Sequence, residues 1–194
     1  NQIGEVERAL NEPLGDTSLA SLRGAKQCVV VVSDRTRPVP HGVVLPPLLD
    51  GLRAQGGLRP SQITILVAGG AHPPMDRASL VDILPASIIE RYRVLCHDAR
   101  DWRGLRQVGT TSRGTPIAIN QRYLEADARV VVGNVDPHQF AGFTGGAKGV
   151  FIGLGGITTI ETNHAMMEHE GARIGVGQGN PVREDIDEGG GRIG

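Results

Sequence analysis

Apolar residues in this chain come in short runs, and polar, Gly- and Pro-bearing stretches separate them. Cys28–Val32 is an apolar, Val-rich run that reads as a buried parallel strand. His41–Gln55 carries Val44, Leu45, Leu48, Leu49 and Leu52 at helical spacing, and Gly56-Gly57 stops it. Ile63–Ala68 is a second strand, Tyr92–Cys96 a third and Arg129–Val132 a fourth, with a short helix expected at Asp76–Leu84. Further helices are expected near Gly4–Glu12 and from about Thr158 to Glu168, with a weaker strand or hairpin around Pro116–Asn120. Strands alternating with helices predict an α/β fold: an open, mostly parallel, Rossmann-like sheet with helices on both faces. Gly142–Gly156 is Gly-rich, and Gly189-Gly190-Gly191 interrupts a helical-looking acidic tail. Each Gly costs a helix about 1 kcal/mol, so the tail is expected to fray.

Composition narrows the function classes. The 194 residues suffice for one α/β domain with a real core, or one domain plus an unfinished piece. Aromatics make up 3% and the net charge is −1, which argues against single-stranded nucleic acid as a ligand and leaves no basic patch for DNA or a membrane surface. Cys28 and Cys96 read as reduced core residues. No apolar stretch is long enough to span a membrane and no signal peptide opens the chain, so a cytoplasmic protein is expected. Asn1 and Gly194 both read as cuts.

Each strand is followed at once by a polar cluster. Ser33-Asp34-Arg35-Thr36-Arg37-Pro38 follows the first and Gly69-Gly70-Ala71-His72-Pro73 the second. His97-Asp98 follows the third, and Gly133-Asn134-Val135-Asp136-Pro137-His138 the fourth. In open parallel sheets the carboxyl ends of the strands form the ligand crevice, so Asp34, Arg37, His72, His97 and His138 are expected along one edge, with His164 joining from the next helix.

Chemistry separates these residues. Arg37 offers a bidentate fork for a carboxylate or phosphate, and Asp34 can orient a histidine or accept from a ligand hydroxyl. Gly70 and Pro73-Pro74 flank His72, as suits a fixed imidazole, and His138 follows Pro137 in the same manner. His97 is read as structural, its ring held by backbone or carboxylate. His41 and His169 are given no site role. Lys148, flanked by glycines in an apolar setting, has the surroundings that lower a lysine pKa and make it a nucleophile or attachment point. The order Ala147-Lys148-Gly149 is not a P-loop, and no G-x-G-x-x-G follows the first strand.

In order and spacing, Ser33-Asp34-x-Thr36-Arg37-Pro38, Gly69-x-x-His72, Pro137-His138-x-Phe140-Ala141-Gly142-Phe143-x-Gly145-Gly146-x-Lys148, Asn163-His164 and Gly179-Asn180-Pro181-Val182-x-Glu184-Asp185 resemble the lactate racemase family. The resemblance runs over about residues 30–188, and His138 to Lys148 is its most specific part. Thr144 departs from an expected Ser, Ile152-Gly153 from an expected Pro-Gly, and the Gly-rich tail from an expected Ala-rich helix.

The resemblance implies a racemase or epimerase of a lactate-like 2-hydroxyacid that uses a nickel-pincer nucleotide, in which sulfur, carbon and sulfur hold the nickel. Lys148 stands where the family tethers this cofactor, with Asp34, Gly145 and Gly146 also placed as cofactor-binding residues. His164 matches the fourth nickel ligand, His72 and His138 match the acid/base pair, and Arg37 matches a substrate-binding position. Hydride would pass reversibly to the cofactor through a planar 2-keto acid while a histidine takes the hydroxyl proton, and two flanking imidazoles would serve the two enantiomers. Residues 1–194 would then be the N-terminal catalytic and cofactor-binding domain, without the C-terminal domain that closes the cleft. Its partners would be a small 2-hydroxyacid and the proteins of cofactor biosynthesis. Two other readings use the same residues: a zinc-dependent hydrolase with His72, His138 and His164 on the metal, and a non-catalytic domain that binds a nucleotide or cofactor.

Overall fold

The computed structural model describes residues 1–15 and 17–194. At its centre lies a four-stranded sheet built from β1 (Cys28–Ser33), β2 (Ile63–Ala68), β3 (Arg93–Cys96) and β6 (Ala128–Val131), in the order β3-β2-β1-β6. All its pairings are parallel, and β1 runs in register with both neighbours, Cys28 facing Ile63 on one side and Ala128 on the other.

Each residue of β1 up to Val32 is buried, and alternate residues enter separate cores. Cys28, Val30 and Val32 pack with Leu45, Leu48, Leu49 and Leu52 of α2 (His41–Ala54) and with Ile88 and Ile89 of α3 (Ala86–Arg91). Val29 and Val31 pack with Phe151 of α5 (Ala147–Phe151), Ile160 of α6 (Ile157–Ala165), and Val182 and Ile186 of α7 (Pro181–Ile193). A strand buried on both faces must be apolar at every position, and a continuous Val run satisfies that where an alternating pattern would not. α1 (Gln2–Asn11) lies against α2.

β4 (Leu105–Thr110) and β5 (Pro116–Asn120) form an antiparallel hairpin outside the main sheet, with α4 (Gln121–Glu125) leading from it into β6. β5 falls where a weak strand is expected. Its partner, exposed at four of its six positions, carries no apolar alternation to reveal it. A two-residue pairing, β7 (Pro137–His138) with β8 (Gly142–Phe143), folds the His138 segment back on itself.

Two local expectations are corrected. Asp76–Leu84 yields only a 3-10 turn at Ser79–Asp82, and the α-helix follows Pro85 instead. A residue preceding proline is pushed out of the helical region, so the pattern breaks at Leu84 and restarts. The Gly-rich tail does not fray but belongs to the thirteen-residue α7. A Cβ on Gly189 would collide with the fully buried Phe151 ring, and one on Gly190 with Ala147, so these glycines let α7 sit close against α5. Gly189→Ala is therefore expected to destabilise the fold by about 1–3 kcal/mol through overpacking. Gly191 has open space around its Cβ position. Gly191→Ala is expected to stabilise by about 0.5–1 kcal/mol through helix propensity alone. Chemical denaturation of the two variants checks this opposition of signs.

Candidate active site

β1 is the switch point of the sheet: β2 and β3 extend from one of its sides, and the chain crosses to β6 on the other. Loops leaving the carboxyl ends of strands diverge at such a point and leave a crevice. A cavity of about 390 Å³ lies there, lined by the ends of β1, β2 and β6 and by the Gly-rich segment before α5. Asp34, Arg37, His72, His138, Gly145, Gly146, Lys148 and His164 all line it.

Asp34 is buried where β1 ends, and its two oxygens have separate partners. Oδ1 accepts from the Thr36 backbone N–H at 3.0 Å and the Thr36 hydroxyl at 2.6 Å. Oδ2 accepts from His72 Nδ1 at 2.8 Å. With Nδ1 donating to the carboxylate, the half-exposed His72 ring leaves its Nε2 free of any partner within the chain. The His72 loop is tied down by Gly70 N–H donating to Gly153 O at 3.0 Å and by Arg100 Nη1 donating to Ala71 O at 3.0 Å.

His138 is arranged in the opposite sense. Its Nδ1 accepts from the Ala141 backbone N–H at 3.2 Å, which places the ring proton on Nε2. Burial, with Lys148, Arg37 and His164 nearby, pushes its pKa down to about 4, so the ring is neutral at pH 7. Phe140 stands edge-on between two imidazoles, 4.7 Å from the His138 ring and 5.0 Å from His164.

Lys148 enters the cavity from the first turn of α5. Gly145 before it has φ of 77°, and a side chain there would run into the carbonyl of Asn134, so only glycine lets the segment turn this closely. Burial, reinforced by Arg37 and Arg183, lowers the amine pKa to about 8, and no carboxylate among the described residues offsets these effects. At that pKa a minor fraction of the amine is unprotonated at pH 7, far more than for an ordinary lysine, and the unprotonated form is the nucleophilic one. Arg37 makes no ion pair among the described residues, leaving its guanidinium available to an anionic ligand.

His164 comes from the last turn of α6. Its Nδ1 donates to Asn163 Oδ1 at 3.0 Å, so Nε2 is the nitrogen with a free lone pair. Burial and Lys148 push its pKa down to about 4, keeping that lone pair free of a proton at pH 7.

His97 does not join this edge. It is buried, donates from Nε2 to Gly155 O at 2.9 Å, and accepts at Nδ1 from Asn120 Nδ2 at 3.1 Å. It thus ties β3 to the hairpin and the turn before α6, the structural role the sequence suggests. His41 is buried and His169 exposed, both away from the cavity. Among the described residues no three His, Cys, Asp or Glu side chains come close enough to hold a metal ion on their own, which removes the geometric basis for a three-histidine zinc site.

Arg183 bears on the Lys148 amine, and the sequence assigns it no site role; the Gly179-Asn180-Pro181 turn enters there only as part of a family motif. Asn180 is fully buried: its side chain caps α7 by accepting from Arg183 N–H, and its Nδ2 donates to Phe140 O at 2.8 Å. It pins the segment that carries His138 and Phe140 to α7. An Asn before Pro at a helix start signals the cap; only the fold shows what its amide reaches.

An open parallel sheet with a polar crevice at its switch point defines an α/β ligand-binding domain, here with a buried lysine of lowered pKa and two imidazoles in different hydrogen-bonding arrangements. The lactate racemase N-terminal domain family matches residues 1–175, and the chain belongs to it. It is 34% identical to lactate racemase of Thermoanaerobacterium thermosaccharolyticum over 184 residues, 93% of this chain and 43% of that protein. It is also 34% identical to lactate racemase of Lactiplantibacillus plantarum over 192 residues, 96% of this chain and 45% of that protein. The solved lactate racemase apoprotein of T. thermosaccharolyticum superposes on all of this chain with a TM-score of 0.93 at 32% identity, 46% of that structure being covered. A Thermotoga maritima protein shares the fold at 23% identity with a TM-score of 0.76. The chain thus spans less than half the length of these relatives. No helix among the described residues is long and apolar enough to cross a membrane.

Proposed function

We propose that residues 1–194 form the N-terminal, cofactor-binding and catalytic domain of a 2-hydroxyacid racemase, an isomerase acting on lactate or a lactate-like acid in the cytoplasm. The observation that carries this is the convergence in one cavity of Lys148, His164, His72, His138 and Arg37. The lowered pKa of Lys148 and the hydrogen bonds made by the His72, His138 and His164 rings support this reading.

These residues suit a nickel-pincer nucleotide. A buried amine with no acid partner is destabilising as an ammonium, and an amide-type linkage removes its charge, so Lys148 is suited to hold the group covalently. The group brings three of its own donors to the metal, so one neutral histidine suffices from the protein, and His164 offers one bare nitrogen. Asp34, Gly145 and Gly146 border the same space. When bound, the cofactor supplies a reversible acceptor for the hydrogen on the substrate's C2.

The chain's own residues manage binding and protons. Arg37 holds the substrate carboxylate as a bidentate partner. His72 Nε2 presents a lone pair to take the hydroxyl proton of one enantiomer, and Asp34 stabilises the imidazolium that results. His138, with its proton on Nε2, presents a donor to oxygen from its own side. Interconverting enantiomers requires a base on one side of a planar intermediate and an acid on the other. His72 suits the first, and His138 would serve as the second once its ring takes a proton from solvent at Nδ1, the proton gained by His72 being released to solvent to close the cycle. The remaining part of the whole protein is proposed to complete the cleft, and cofactor-biosynthesis proteins to supply the group.

The test is intact mass with elemental analysis of the full-length protein, made in a host that also makes the cofactor. The expected result is added covalent mass mapping to Lys148 with about one nickel per chain. Unmodified mass without nickel, from a host that loads a related racemase, would return the chain to the non-catalytic reading.

A further inference from the structure

Behind His164 lies a chain of buried polar groups that the racemase reading leaves unused. Asn163 and Asp185 are both fully buried. Asn163 Nδ2 donates to Asp185 Oδ2 at 2.8 Å and to Val182 O at 3.2 Å, while its Oδ1 faces His164 Nδ1. Asp185 Oδ2 also accepts from the Thr115 hydroxyl at 2.8 Å, and its Oδ1 from the Thr111 hydroxyl at 2.5 Å. Thr111 and Thr115 flank the turn of the β4–β5 hairpin and are buried themselves. The Thr115 backbone N–H donates to the Thr111 hydroxyl at 3.1 Å, which orients that hydroxyl's own proton toward Asp185.

Directionality passes down this chain without ambiguity. A carboxylate only accepts, so whatever meets Asp185 must donate. Asn163 must therefore turn its NH₂ to Asp185, and the same rotation turns its carbonyl oxygen to His164. A carbonyl oxygen only accepts, so the His164 proton must sit on Nδ1 and Nε2 must be bare. The opposite amide orientation would oppose two acceptors at Asp185, out of reach of water, which costs the full desolvation penalty of the groups left unpaired.

We propose that Asp185, acting through Asn163 and held by Thr111 and Thr115, is a positioning residue that fixes His164 in the tautomer with an unprotonated Nε2 directed to the site. The β4–β5 hairpin, which does not itself line the cavity, is then the anchor for that ligand. Its importance for nickel rests on the racemase reading; the tautomer itself does not.

The experiment uses cofactor-free full-length protein with ¹⁵N-labelled histidine, recording long-range ¹H–¹⁵N correlations at pH 7.5. His164 is assigned by the loss of its signals in His164→Gln. Wild-type His164 is expected to carry its proton on Nδ1 alone. Asp185→Val is expected to move half or more of the population to Nε2–H, and Asn163→Leu to do so more completely. Asn163→Leu leaves Asp185 both threonine partners, so it remains informative if Asp185→Val does not fold. In the cofactor-loaded protein, either variant is expected to lose nickel to a chelator about 10- to 100-fold faster, the usual scale for outer-shell partners of a metal ligand. A wild-type His164 protonated on Nε2, or a folded Asp185→Val with the wild-type pattern, overturns the proposal. Because the tautomer is read without cofactor, either of those results leaves the racemase reading intact. The expected tautomer together with failure to load nickel would sink that reading alone.

Discussion

Lys148→Met is expected to lower racemase activity by about 10³-fold or more while making the cofactor-free protein more stable. The two effects have one origin. The amine is buried beside Arg37 and Arg183, and its pKa of about 8 lies well below the ordinary 10.5. The folded state therefore disfavours the ammonium, whereas the unfolded chain solvates it freely. Below about pH 8 both states carry the proton and the full penalty applies. Between about pH 8 and 10.5 the unfolded state binds more protons than the folded state, so stability rises with pH; above 10.5 both are neutral and the penalty is gone. An unbranched thioether of similar length fills the space without the charge. Lys148→Met should thus gain about 1–3 kcal/mol at pH 7, an advantage that declines across that window. Denaturant titrations at pH 7 and 10.5, together with turnover of the loaded protein, measure both halves. A variant no more stable than wild type at pH 7 would show that the ammonium is better solvated than its burial indicates.

Asp34→Asn is expected to be nearly as harmful as His72→Gln, with a loss in kcat of about 10²–10⁴. Two donors from Thr36 converge on Asp34 Oδ1, and an asparagine satisfies them only by placing its carbonyl oxygen there. Its NH₂ then falls opposite His72 Nδ1, where the carboxylate oxygen now accepts. The ring must shift its proton to Nε2 and present a donor where the mechanism needs a lone pair. The fold should tolerate the exchange, because the two side chains have the same shape. Racemisation adds a constraint: enantiomers have equal free energy, so kcat/KM must fall equally in both directions, however unequal the separate changes in kcat and KM. Initial rates from each enantiomer, with ¹⁵N correlations reporting the His72 tautomer, check the argument. Wild-type rates in a variant whose tautomer has flipped would remove His72 from proton transfer.

Much of this protein is written in local pattern. The Val run of β1, the helical spacing of α2 and the apolar runs of β2 and β6 define a doubly covered parallel sheet, because a strand buried on both faces and a one-sided helix leave different periodicities. The polar clusters at the strand ends identify the cleft, since chain connectivity in a parallel sheet brings every carboxyl end to one edge. All eight candidate site residues, from Asp34 to His164, line that one cavity.

Partnership is not legible in that way. The glycines of α7 read as helix breakers because propensity is a local property, while the Phe151 ring that makes Gly189 necessary comes from a distant part of the chain. His97 occupies a strand end like His72, yet its backbone and amide partners turn it into the core. The hydroxyls of Thr111 and Thr115 meet Asp185 across more than sixty residues of sequence. Residue type and spacing say which atoms can donate or accept. Which proton rests on which nitrogen of His72, His138 and His164 depends on the one neighbour each ring meets, and the packing of helices and hairpin against the sheet supplies that neighbour.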